Sequence, residues 1–330
     1  MRRSSWIKLT YLVLIALSLG LMFFKAKVLP PRRGNVALQL DDRPGNLLRF
    51  MVRLKQQGGR VHPVWFARLG RWLLLPHPRP GVYYVTGQDT YFTLWRKLFK
   101  NRAEYQVLRI NEGLTFKQLR ELVAKEPHLT HFITASDSDD QVMAKLGLTN
   151  LAPEGRFAPD TYYFVKGSTD VALLLSAYRR MENWLEAEWQ QRSTKCYQCA
   201  YKALIVASLI EKEVRAPHEL NLVAGVILSR LTKGMRLQID ASTIYGLGKR
   251  YRGRLTRRQL NESDSAYNTY RYYGLPPTPI CLPGRRAIRA ALHPEFKYLY
   301  YVVKPDGTHA FSSSLVEHNE AVAKYRPGKP

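Results

Sequence analysis

The chain has 330 residues, a formal net charge of +25, 45% hydrophobic and 12% aromatic content, and three Cys. The apolar content excludes a disordered tail, the cysteine count excludes a disulfide scaffold, and the length suggests two domains of about 100–200 residues each. The charge points to an anionic partner, whether nucleic acid, a membrane surface or an acidic polymer, and says nothing about fold.

The first predicted element spans a membrane. Trp6 to Phe24 is a 19-residue run whose one charge, Lys8, lies near its start. At 1.5 Å per residue it nearly crosses a hydrocarbon core of about 30 Å. Arg2 and Arg3 stand on one side, and Lys25, Lys27, Arg32 and Arg33 on the other, so flanking charge alone does not orient it. The residues that follow, Phe23 to Lys27, make a poor signal-peptide cleavage site, and no Cys lies nearby to carry a lipid. The segment reads as an uncleaved single-span anchor, with residues 1–5 in the cytosol, 6–24 in the membrane and the remainder outside the cytosol. That placement argues against nucleic acid as the partner. It reads the charge as a basic surface beside anionic lipid.

Pro30 to Gly34 forms a linker. Val36, Leu38 and Leu40 alternate as in a strand, Arg43-Pro44-Gly45 is a turn, and Asn46–Lys55 is helical. An amphipathic piece follows over 65–75. Pro76, Pro78 and Pro80 then break the chain before a strand over Val82–Thr86. Thr90–Phe99 is a helix with Asp89 as its N-cap, and Tyr105–Ile110 is a strand. Thr115 and Gln118 form a capping box for a helix over Phe116–Lys125, with Phe116, Leu119, Leu122 and Val123 on one face. The alternation predicts one or two small α/β modules before residue 150. The acidic run Ser136 to Asp140 lacks the Gly and Glu that a calcium loop needs where Val142 and Leu148 stand, so it reads as a solvated turn and helix start.

Beyond Gly155 the texture changes. Phe157 to Tyr163 reads as an aromatic loop. Asp170–Trp189 is a long helix with a core stripe of Val171, Leu174, Tyr178, Met181 and Leu185. Ala200–Arg215 is a second helix, ended by Pro217, and Glu219–Lys233 is a third, closed by Gly234. Leu237 and Ile239 suggest a short strand. Tyr298–Lys304 and Thr308–Ser312 form a hairpin around Pro305-Asp306-Gly307. Residues 151–330 are thus expected to be an α+β domain, and 25–150 a separate one.

No P-loop, dinucleotide fingerprint, nucleophile elbow or HExxH motif is present. Cys196 and Cys199 have redox or metal spacing, but a zinc site needs about four ligands and only Cys281 remains. The pair reads as a local disulfide or as two unreactive thiols, and neither a metal nor a cofactor is expected. The sharpest constellation is Glu211-Lys212-Glu213, closing an otherwise apolar helix. Residues two apart on a helix point about 200° apart, so the two carboxylates cannot share a groove. Ile205 and Leu209 lie eight and four residues before Glu213, on its face. A carboxyl on that face, near the negative end of the helix dipole, should have a raised pKa, as a general acid requires. Taken by themselves, both Glu also read as solvated charges at a helix end.

Residues 240–284 supply context. Asp240, Tyr245, Tyr267, Asn268 and Tyr270 stand among backbone fixed by Gly274-Leu275-Pro276-Pro277 and Pro283-Gly284. Aromatic faces and amides on a rigid groove suit sugars. With these pieces in order, the chain resembles the membrane-anchored endolytic murein transglycosylases, the MltG or YceG-like family. The likeness is dense from Glu154-Gly155 and Pro159-Asp160-Thr161-Tyr162 to Tyr325. It includes the Glu-Lys-Glu helix end, Gly234 to Asp240, Ile244-Tyr245-Gly246-Leu247-Gly248, Tyr267 to Tyr270, His293-Pro294 and His318-Asn319. Residues 34–130 resemble the family's LysM-like part more weakly, through Gly81-Val82-Tyr83 and Asn111 to Thr115.

The resemblance implies a transmembrane anchor, a LysM-like α/β module and an α+β catalytic domain whose Glu-bearing helix presents Glu213 as acid/base. Gln238, Asp240, Tyr267, Asn268 and Tyr270 are the substrate-groove candidates. It implies cleavage between MurNAc and GlcNAc within nascent strands to give 1,6-anhydro ends, with no cofactor and with peptidoglycan synthases as partners at the bacterial inner membrane. Departures stand at Val214, Ala241, Thr278 and Leu282, where the family usually has Thr or Ser, Pro, Gly, and a polar or small residue. Two rival readings are a muramidase-type hydrolase with Asp240 as second carboxylate, and a non-enzymatic anchored protein that binds wall or lipid.

Overall fold

The computed structural model describes residues 25–30, 36–40, 46–64, 81–99 and 105–325. The span predicted at 6–24, the turn at 43–45 and the amphipathic piece at 65–75 lie outside those residues. Among the described residues no helix is long and apolar enough to cross a membrane. The chain divides into two compact units, residues 1–107 with 163–167, and residues 108–162 with 168–330.

In the first unit, β1 (Val36–Leu40) pairs antiparallel with β2 (Gly81–Val85), with Val36 opposite Val85 and Leu40 opposite Gly81. The α1 helix (Asn46–Gln56) packs on β1 through Leu47, Phe50, Met51 and Leu54, the spacing of one helix face. These residues join Val28, Leu29, Leu38, Val85 and Leu94 in one core. The α2 helix spans Tyr91–Phe99. Its first turn is capped by Thr90, whose hydroxyl accepts from the Thr93 amide at 3.2 Å, and not by Asp89. Asp89 sits one residue too early. Its buried carboxylate instead closes the preceding turn by accepting from the Thr86 amide at 2.7 Å, and it pairs with Lys97 at 2.6 Å.

The chain's second strand pair joins β3 (Tyr105–Arg109) and β4 (Thr161–Val165). The β4 strand falls where an aromatic loop was expected. Tyr162 and Phe164 are buried while Tyr163 is 58% exposed, a period of two that marks a strand.

The second unit begins at Leu108, well before the boundary expected near residue 150. The cause is a set of backbone ties. Gly113 N donates to Leu282 O at 2.9 Å, Leu282 N donates to Leu114 O at 2.7 Å, and Phe116 N donates to Glu154 Oε1 at 2.9 Å. The α3 helix (Phe116–Ala124) starts at the predicted Thr115–Gln118 capping box, and α4 (Asp139–Lys145) starts at Ser138. Next come α5 (Asp170–Gln190), α6 (Ala200–Glu213), a 3₁₀ turn (Pro217–Glu219) and α7 (Leu220–Thr232). They are followed by α8 (Asp240–Leu247), α9 (Arg257–Glu262), α10 (Arg285–Leu292), a hairpin of β5 (Tyr300–Val303) and β6 (His309–Ser312), and α11 (Leu315–Tyr325). The class is α+β, as expected.

The α6 helix is the centre of this unit. Every residue from Ala203 to Ile210 is buried, so the helix is apolar all round and is packed on all sides, with α10 and α7 against it. Ser208 Oγ accepts from the Ile280 amide at 3.0 Å and ties the 279–284 segment to the helix. Leu237 and Ile239 are buried as their alternation suggests, but they form no strand. Gln238 has φ of 54°, a left-handed turn that breaks the extended backbone. The segment is held instead by the Gln238 amide on Thr269 O at 3.0 Å and the Ile239 amide on Thr269 Oγ1 at 2.9 Å.

Candidate active site

The last turn of α6 sends its three charged residues in three directions. Glu211 Oε2 accepts from the amide of Gly284, the N-cap of α10, at 2.9 Å. Burial pushes this carboxyl up, the Gly284 bond opposes that, and Glu112 adds to the rise. Lys212 Nζ donates to Gly113 O at 3.0 Å. Glu211 is thereby a helix cap and Lys212 a loop anchor.

Glu213 faces the hairpin. Tyr301 Oη donates to its Oε2 at 3.0 Å. Burial pushes the Glu213 carboxyl above its ordinary value. The Tyr301 bond opposes the shift, Asp240 reinforces it, and His309 and the Ala241 amide oppose it. Burial and the neighbouring Glu213 push the Tyr301 phenol well up, so it stays protonated and donates. A carboxyl with its acid form favoured by burial and its ionised form held by a phenol and a backbone amide is suited to give a proton and take one back.

Asp240 and the Ala241 amide come to Glu213 from the 238–245 segment, which 265–270 packs against. Gln238 and Asp240 are exposed, and Asp240 Oδ1 accepts from Tyr270 Oη at 2.5 Å at the start of α8. Tyr267 is half-buried, its ring 4.9 Å from that of Tyr245 and its hydroxyl 2.7 Å from Thr278 Oγ1. Thr278 thus gives the Tyr267 hydroxyl a hydrogen-bond partner. Asn268, expected at the substrate groove, is buried inside the loop. It is 0% exposed, and its amide nitrogen donates to Leu260 O and Ser263 O at 2.9 and 3.0 Å. Its Oδ1 accepts from the Tyr270 amide at 3.1 Å. With its amide engaged inside, Asn268 shapes the loop that presents Tyr267 and Tyr270.

Sequence reasoning did not single out Tyr301, His309, Glu219 or Arg230. In the hairpin register Tyr301 opposes Phe311 and Val303 opposes His309, which puts Tyr301, His309 and Phe311 on one face. Buried Arg230 on α7 donates to Leu299 O and to Leu237 O, both at 2.8 Å, and so links the entry to the hairpin with the 237–239 segment. The signal was present in the two-residue period of the predicted hairpin. Cys196 and Cys199 are exposed free thiols ahead of α6, and Cys281 is buried. Among the described residues no three His, Cys, Asp or Glu cluster as metal ligands would.

A further buried carboxyl, that of Glu154, lies against Tyr245. Glu154 Oε2 accepts from Tyr245 Oη at 2.9 Å, opposite the Phe116 amide on Oε1. Burial pushes it up to about 7. The folded chain therefore holds a proton that an unfolded carboxyl, titrating near 4.5, has lost. Its contribution to stability is complete below pH 4.5 and declines as pH rises through about 7, by at most about 3 kcal/mol. Glu154→Gln should remove this component. Comparing thermal midpoints from pH 5 to 8, the native chain should lose stability relative to the variant as pH rises. Parallel curves would contradict the assignment.

Residues 45–324 match the model of the YceG-like family. An endolytic murein transglycosylase of Bacillus subtilis is 36% identical over 177 residues, covering 53% of this chain and 49% of that protein. One from Streptococcus pneumoniae is 27% identical over 212 residues, covering 63% of this chain and 37% of its own length. The chain thus spans about half the length of the first relative and just over a third of the second. The crystal structure of a yceG-like protein from Listeria monocytogenes superposes with a TM-score of 0.56 at 25% identity, covering 88% of this chain and 99% of that one.

Proposed function

Because the chain belongs to the YceG-like family, we propose that it is an endolytic peptidoglycan lytic transglycosylase in which Glu213 is the acid/base. The observation that carries this is the Glu213 carboxyl at the end of the central helix, raised by burial and accepting from the Tyr301 phenol. In the proposed reaction protonated Glu213 gives its proton to the oxygen between MurNAc and GlcNAc, and the bond from C1 to that oxygen breaks. The carboxylate then accepts the proton of the MurNAc C6 hydroxyl as that oxygen bonds to C1. The products are a 1,6-anhydro end and a free GlcNAc hydroxyl, and no water is consumed. Intramolecular attack provides a high effective molarity, so no protein nucleophile is required. Gln238, Asp240, Tyr267 and Tyr270 are the residues proposed to line the glycan path.

The wider reading belongs to the same proposal. Residues 6–24 anchor the chain in the inner membrane with the described units in the periplasm. The strand pair of the first unit belongs to a LysM-like module, and synthases that extrude glycan are the partners. The family resemblance and the apolar 19-residue run support it. Asp240, close enough to Glu213 to raise its pKa, favours a hydrolase as the second reading. The test is digestion of purified uncrosslinked glycan strands. Endolytic cutting should shorten the mean strand length early, release few disaccharides and give only anhydro ends. A steady release of disaccharides from strands that otherwise keep their length would contradict the endolytic reading.

A further inference from the structure

We propose that Glu219 and His309 are a positioning pair for this reaction: they fasten the β5–β6 hairpin to the turn after α6, so that Tyr301 Oη is kept on Glu213 Oε2. The inference rests on the reading of Glu213 as the acid/base.

Glu219 lies six residues after Glu213, in the 3₁₀ turn that leads into α7. Its side chain is 4% exposed and that of His309 is 6% exposed. Both carboxylate oxygens engage His309. Oε1 accepts from the His309 amide at 2.8 Å, and Oε2 lies 2.7 Å from Nδ1. The two contacts hold His309 by its backbone and by its ring at once and so fix the ring plane. The ring of His309 then meets that of Tyr301 at 85° with centroids 5.2 Å apart. His309 pairs with Val303 at the turn end of the hairpin, two residues along from Tyr301 on the same face. Clamping His309 through both its backbone and its ring therefore sets where the Tyr301 hydroxyl can reach. The acid ends α6, and the clamp that orients its phenol sits in the 3₁₀ turn six residues further on.

The groups around Glu213 are Tyr301 from β5, His309 from β6, and Asp240 with the Ala241 amide from α8. Tyr270 and Arg230 stand behind Asp240 and Tyr301. Exposed His218 lies 3.9 Å from Glu219. Losing the Tyr301 donor leaves Asp240 and burial less opposed, so the Glu213 carboxyl should hold its proton to higher pH.

The experiment measures kcat, KM and the pH dependence of kcat/KM for the full chain on purified glycan strands. His309→Leu should lower kcat roughly tenfold to hundredfold while KM changes little, the loss of one hydrogen bond to a charged group. The high-pH limb of kcat/KM should move upward. His309→Asn, which returns a donor near the Nδ1 position, should recover most of the loss. Tyr301→Phe should match His309→Leu, and the double variant should be no worse than either, because both remove the same bond. A His309→Leu protein with native kcat and pH profile would overturn the proposal, as would losses that multiply in the double variant. Failure of all three single variants to fold would also overturn it, by showing the pair to be scaffold alone. If the native chain makes no anhydro-ended product, it is the functional reading that has failed.

Discussion

Glu213→Gln will leave a folded chain that makes almost no anhydro-ended product. Removing a general acid or base typically costs about 10²–10⁴-fold, and here one group serves as both. Gln keeps the size of Glu and can still accept from Tyr301 Oη, so the hairpin contact is preserved. What is lost is the proton itself. Glu211→Gln is the matched control. Its amide oxygen can still accept from Gly284 N, and its side chain points away from Tyr301, so most activity should remain. In the proposed reaction the first step needs protonated Glu213, whose pKa is raised by burial. The rate constant kcat/KM should therefore fall as pH rises past that raised value. A dead Glu211→Gln beside an active Glu213→Gln would reverse the assignment. If both variants stay active, the enzymatic reading falls and the wall-binding reading replaces it.

Gly225→Ala should be strongly destabilising, although alanine is the better helix former by about 1 kcal/mol. Gly225 lies inside α7 where a β-carbon would overlap the carbonyl oxygen of Glu295 and crowd the Phe296 amide at 3.2 Å. That backbone cannot easily retreat. Glu295 N donates to Asn221 O at 2.9 Å, and Asn221 Nδ2 donates to His293 O at 2.6 Å. Overpacking of this kind costs typically 1–3 kcal/mol and occasionally more, so the net effect should be a loss at or beyond the upper end of that range. Thermal or urea unfolding checks it. A neutral or stabilised variant would show that α7 and the 293–296 segment do not approach as described.

The sequence made α6, α7, the hairpin and the α3 capping box legible because each carries a strong local signal. Residues Ala203 to Ile210 are apolar, Gly234 closes α7, and Thr115 with Gln118 caps α3. The α8 helix was missed because Asp240 to Leu247 contains Ser, Thr, Ile and Gly, whose helix propensities are weak, and tertiary packing overrides them. The α10 helix is eight residues set between Gly284 and His293, too short for periodicity to stand out. At the site, the Glu-Lys-Glu helix end alone left two readings open, and the family resemblance chose between them. Asn268 was misplaced because an amide in a sugar-binding motif reads as a contact, whereas its burial depends on Leu260 and Ser263 arriving from elsewhere. Glu219, His309 and Tyr301 went unread because their meeting needs both the hairpin register and the path of the turn after α6.

The proposal that Glu213 acts without a water nucleophile is tested by cleaving purified glycan strands in water enriched in oxygen-18, with mass spectrometry of the new MurNAc ends. Closure by the C6 hydroxyl predicts 1,6-anhydro ends carrying none of the label. New reducing ends carrying oxygen-18 at C1 would contradict it and identify a hydrolase.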